Sequence, residues 1–127
     1  MKNFSFSGPR HVFFGRGEVS ALPKILKNIE GPAEGGAVLV LTDEGFGKSG
    51  IPARLAGEIE SAGFRTIFTD TVPREPYTGD IDRLAEELRE SSVACIVGVG
   101  GGSGIDSEKF LSVLLETGGR TLDLVDK

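Results

Sequence analysis

Apolar positions along this chain switch between runs two residues in period and runs three to four residues in period, and the switches mark its elements. Phe4–Ser7 and Val12–Phe14 read as short strands on either side of Gly8-Pro9, an N-terminal β-hairpin or edge strand pair. Val19, Leu22, Ile25, Leu26 and Ile29 then recur at helical spacing, and Gly31-Pro32 closes that helix. Ala37–Leu41 is apolar without a break, as in a strand covered on both faces. A polar turn from Thr42 to Gly50 follows. The next helix runs from Pro52 to Ala62, with Pro in its first turn and Gly63 placed for a left-handed cap.

Arg65–Thr69 reads as the next strand, and a Pro-containing loop covers Val72 to Gly79. Ile81, Leu84, Ala85 and Leu88 form one face of a further helix, and Ala94–Val99 is a second strand apolar on both faces. A glycine-rich turn leads into a helix whose inner face carries Leu111, Leu114 and Leu115, closed at Thr117-Gly118-Gly119. Strands alternating with helices across short connections predict an α/β fold, a Rossmann-like parallel sheet with helices on both faces. With no linker, internal repeat or low-complexity stretch, residues 1–127 are expected to form one domain.

Composition narrows what such a domain does. The chain has 127 residues, 39% hydrophobic and 26% charged, which is enough for one core and too little for two ordinary domains. A net charge of -5 with scattered Lys and Arg argues against nucleic acid, whose affinity depends on clustered cations. No apolar run approaches the roughly 20 residues that span a bilayer. The start, MKNFSFSGPR, lacks the apolar stretch of a secretion signal. The single Cys95 has no intramolecular disulfide partner and sits in an apolar run, so it reads as a small buried hydrophobe. These features predict a cytoplasmic protein.

In open parallel sheets, ligands sit beyond the carboxyl ends of the strands, where this chain places its glycines. Gly47-Lys48-Ser49 ends like a P-loop, but the position five residues before Gly47 is Thr42 and not Gly, so that reading fails. Gly45, Gly47 and Gly50 satisfy G-x-G-x-x-G, with Asp70 about 20 residues on, as in a dinucleotide fingerprint. Asp43 and Glu44, however, stand between strand and first glycine, where a pyrophosphate would meet two like charges. The run Gly98-Val99-Gly100-Gly101-Gly102-Ser103-Gly104-Ile105-Asp106 is the better phosphate cradle. It leaves a buried strand directly and opens a helix, whose first N–H groups and positive dipole end favour an anion. Ser103 and Asp106 have the spacing of a capping box. A plain turn needs one or two glycines and does not account for Gly100, Gly101 and Gly102 together.

The chain as a whole resembles the iron-containing (group III) alcohol dehydrogenases. Phe14-Gly15-Arg16-Gly17 is similar to that family's opening F-G-x-G. Val38-Leu39-Val40-Leu41-Thr42-Asp43, followed by Lys48-Ser49-Gly50, is similar to its second signature. Gly100-Gly101-Gly102-Ser103 with Asp106 and Lys109 resembles its G-G-G-S-x-x-D-x-x-K. The resemblance implies a dinucleotide whose pyrophosphate lies on Gly100, Gly101, Gly102, Ser103 and Asp106, with Asp43 accepting hydrogen bonds from the adenosine ribose. That role for Asp43 implies NAD in preference to NADP, because a carboxylate repels a 2′-phosphate. Glu75 stands where the family has Asn before the Pro matching Pro76, and Glu108 where it often has Ala.

The family binds its catalytic iron or zinc through one Asp and several His of a following helical domain, which is expected to be absent here. The only His is His11, in the N-terminal strand region, whereas a catalytic metal takes at least three protein ligands. The resemblance therefore implies the cofactor-binding part of an oxidoreductase that passes hydride between a small alcohol or aldehyde and nicotinamide. No catalytic residue and no metal ligand are assigned in this chain, and alone it is expected to be inactive. A tail without a terminating feature suggests truncation, and an uncovered apolar face would favour homo-oligomers. Two other readings stay open at this point: an N-terminal domain of the glycerol dehydrogenase or dehydroquinate synthase type, or a stand-alone nucleotide-binding module.

Overall fold

The computed structural model describes residues 14–73, 75, 77–100, 111 and 115. Its centre is strand β1 (Ala37–Asp43), every residue of which is buried. β1 pairs in parallel with β2 (Thr66–Val72) on one side and with β3 (Val93–Gly98) on the other, giving the order β2-β1-β3. Val38 to Leu41 align with Thr66 to Thr69 across one edge and with Cys95 to Gly98 across the other.

Because side chains alternate along a strand, β1 divides the core into two halves. Leu39 and Leu41 pack with Val72, with Ile81, Leu84, Ala85 and Leu88 of helix α4 (Thr78–Leu88), and with Leu111. Val38 and Val40 pack on the opposite face with Leu26 of α1 (Leu22–Leu26) and with Leu55, Ala56 and Ile59 of α3 (Ile51–Ser61). The face of α4 is thus the one the sequence periodicity gives. The carboxylate of Asp80 accepts from the Tyr77 N–H at 2.8 Å and fixes the start of α4. The architecture is an α/β sheet with helices on both faces.

Several boundaries depart from the sequence expectation. The helix expected across Val19 to Ile29 is a 3-10 turn, Glu18–Ala21, followed by the short α1, and Val19 stays 61% exposed. Pro23 lies in the first turn of α1 and has no N–H to continue a helix begun earlier. Thr42 and Asp43 belong to β1 and not to a polar turn, and β2 runs on to Val72. The turn contains a short helix α2 (Glu44–Gly47). Strand β3 is half-buried, and Cys95 with it, packed against the half of the core that holds Val38.

Of the expected N-terminal hairpin only Phe14 is described; it is irregular and almost fully exposed. The rest of that hairpin and His11 lie outside the described residues. So does most of the last helix, where Leu111 and Leu115 are helical and turn toward the core. Among the described residues no helix is long and apolar enough to cross a membrane.

At the amino ends of the strands the chain packs tightly. A Cβ on Gly36 would lie 2.5 Å from that of Ala94 and 2.9 Å from the Gly31 carbonyl oxygen. The other end of the sheet is where the chain opens.

Candidate dinucleotide site

The path of the chain makes the carboxyl ends of β1 and β3 a topological switch point. Leaving β1, it passes through α2 and α3 over the face that holds Val38 and Val40. Leaving β3, it enters the helix containing Leu111, which packs on the opposite face with Leu39 and Leu41. Neighbouring strands whose exits diverge in this way leave a gap between them, the place where open α/β sheets bind ligands.

Asp43 is the last residue of β1 and faces this gap. Its Oδ1 accepts a 2.7 Å hydrogen bond from the Phe46 N–H, so the carboxylate caps α2. Its Oδ2 points toward Gly100, where a Cβ would stand 3.7 Å away. Asp43 is only 8% exposed, and no deeply buried side-chain oxygen among the described residues lacks a partner. Oδ2 makes no hydrogen bond among those residues, and a carboxylate oxygen can accept one from a hydroxyl.

Gly100 closes the other side. Its φ of 137° lies in the range that side chains avoid, while the nearest atoms, at 3.7 to 3.9 Å, would leave room for a Cβ. Backbone conformation, not crowding, calls for glycine here. The sequence placed Asp43 and Gly100 in one site, and the fold brings them together. Gly101, Gly102, Ser103 and Asp106, the remaining residues expected there, lie outside the described residues.

The competing turn is built differently. The N–H groups of Lys48, Ser49 and Gly50 donate to the carbonyls of Gly45, Phe46 and Gly47, and that of Phe46 goes to Asp43. The Ser49 hydroxyl donates to Phe46 O and accepts from the Ile51 N–H. A phosphate would find these donors already committed. Gly47 also has a structural reason to be glycine, since a Cβ there would come within 3.0 Å of the Asp70 Cβ. The G-x-G-x-x-G spacing thus describes a self-contained turn.

One residue escaped the sequence reading. Thr42 is 1% exposed, and its Oγ1 donates to the Val99 carbonyl oxygen at 2.9 Å. The Val99 N–H donates to Leu41 O at the same distance. The available signal was a hydroxyl at the end of an otherwise apolar strand.

Among the described residues no group of three His, Cys, Asp or Glu is placed to hold a metal ion.

The sequence profile of the family described as "Iron-containing alcohol dehydrogenase" matches residues 9–127. A long-chain primary alcohol dehydrogenase, AdhA, of Thermoanaerobacter ethanolicus is 30% identical over 91% of this chain. An NADPH-dependent butanol dehydrogenase of Clostridium saccharobutylicum is 28% identical over 93% of it. The chain spans 29% of the length of each of these two relatives. Among solved structures, NADH-dependent butanol dehydrogenase A of Thermotoga maritima superposes with a TM-score of 0.77 at 27% identity. That match covers 97% of this chain and 30% of the other. With nearly its whole length matched by the profile, the chain belongs to the iron-containing alcohol dehydrogenase family.

Proposed function

We propose that this chain is the dinucleotide-binding part of a metal-dependent alcohol dehydrogenase, with NAD as its preferred cofactor. The observation that carries this reading is the nearly buried Asp43 carboxylate, one oxygen committed to a cap and the other open toward Gly100. A carboxylate there accepts hydrogen bonds from a ribose diol. Such charge-assisted bonds contribute about 1.5 to 3 kcal/mol each. Gly100 begins the stretch that continues through Gly101, Gly102, Ser103 and Asp106, whose backbone N–H groups are proposed to hold the pyrophosphate. The chemistry supports this reading: a carboxylate acceptor suits hydroxyls, and backbone amides suit phosphate.

The dinucleotide, when bound, supplies the acceptor for a hydride taken from an alcohol. This chain's own residues bind and orient it. Asp43 holds the ribose and disfavours a 2′-phosphate through like charge, and the turn after β3 anchors the diphosphate. The metal's ligands are proposed to lie in the part of the relatives' length that this chain does not span. The alcohol or aldehyde site is assigned there too.

Calorimetric titration of the 127-residue chain with NAD and with NADP tests the reading. Saturable binding of NAD, with NADP at least about tenfold weaker, is the expected result. Equal affinity would remove the role given to Asp43, and no binding of either would remove the function.

A further inference from the structure

The hydroxyl of Thr42 has no counterpart in the binding scheme above, yet it is one of two polar side chains buried among the described residues; the other is Asp43 itself. From its position we infer that Thr42 is a positioning residue that sets the distance between Asp43 and the glycine turn. The inference rests on the dinucleotide reading for its consequence, though not for its geometry.

β3 ends at Gly98. Beyond that point the chain is held to β1 by two bonds to a single residue: the Val99 N–H to Leu41 O, and the Thr42 hydroxyl to Val99 O, both 2.9 Å. The first continues the sheet ladder by one step. The second is a side-chain bond spanning 57 positions in sequence, and it fixes the peptide plane between Val99 and Gly100. That plane carries the Gly100 N–H and sets where it points. Gly100 then comes to lie against Asp43 Oδ2 and the Phe46 ring edge. Thr42 Cγ2 also stands 3.5 Å from where a Cβ on Gly47 would be, so the same side chain abuts the α2 turn. Thr42 therefore bonds the chain that leaves β3 and lies beside the α2 turn.

A valine has nearly the same shape and lacks the donor. Thr42→Val would leave the Val99 carbonyl oxygen without its partner and free the peptide plane, whereas Thr42→Ser would keep the bond and lose only the methyl group. The test is hydrogen exchange at single amides, read by NMR on the cofactor-free chain, followed by NAD titration. In Thr42→Val the Val99 N–H keeps its acceptor, Leu41 O, but local opening of this segment no longer breaks the Thr42 bond, so its exchange should accelerate by about tenfold. Amides of Leu39, Val40 and Ile96 should stay within about twofold, as expected for a local change. Thr42→Ser should match the parent at every one of these sites. NAD should bind about tenfold more weakly to Thr42→Val, again the ratio for one hydrogen bond, and normally to Thr42→Ser.

Unchanged Val99 exchange in Thr42→Val overturns the inference. So does acceleration spread evenly over β1 and β3, which would make Thr42 a general stability residue, or a serine variant as impaired as the valine. Unaltered NAD affinity with faster Val99 exchange overturns the link to binding. If the parent chain does not bind NAD, the dinucleotide reading fails, while the exchange data still decide whether Thr42 holds the turn.

Discussion

Asn in place of Asp43 would keep an acceptor for the Phe46 N–H and remove the charge, which separates the capping role of this side chain from its proposed ligand role. Thermal stability of Asp43→Asn should stay within about 1 kcal/mol of the parent, because Asn caps helices about as well as Asp. NAD affinity should fall about tenfold as charge-assisted bonds become neutral ones. NADP should lose less than NAD, so the ratio of the two dissociation constants measured by calorimetry should shrink. Gly100→Ala probes the opposite wall. A side chain at φ 137° is expected to cost about 1 to 3 kcal/mol in a thermal or urea melt, with NAD affinity falling as the turn reshapes. Both residues were legible in the sequence, one as an acid just past an apolar strand and the other as part of a glycine excess. Thr42 was not, because its partner lies 57 positions away and nothing local marks a hydroxyl as satisfied.

At the level of elements, the sequence was most informative where periodicity and burial coincide. The inner face of α4 and the core of β1 were legible from apolar spacing alone. Apart from the helix expected across Val19 to Ile29, the errors gathered at the carboxyl ends of strands. Thr42 and Asp43 look like loop residues, yet β1 carries both, because Val99 O and the Phe46 N–H satisfy their polar atoms. Asp70 and Thr71 likewise extend β2 with their surfaces exposed. Polar residues in strands at a candidate site are where local patterns are expected to mislead. The opposite end of the sheet offers a control. In Gly36→Ala the new methyl would meet Ala94 and the Gly31 backbone, and about 1 to 3 kcal/mol of stability should be lost in a denaturant melt. NAD affinity should not change, since β1 at about 3.3 Å per residue puts roughly 20 Å between Gly36 and Asp43.

For the molecule as a whole, the order β2-β1-β3 means that the most apolar strand is the first of the three to be made. As the chain emerges from a ribosome, Ala37–Leu41 appears with neither of its flanking strands available. One edge is satisfied only after Val72 has been synthesised and the other only after Gly98. Throughout that interval a bare hydrophobic edge is open to pairing with another nascent chain. A chain stopped at residue 92 should therefore collect in the pellet after expression, while the 127-residue form stays in the supernatant. The middle position that gives β1 its stability in the finished sheet makes it the segment most in need of chaperone protection during synthesis.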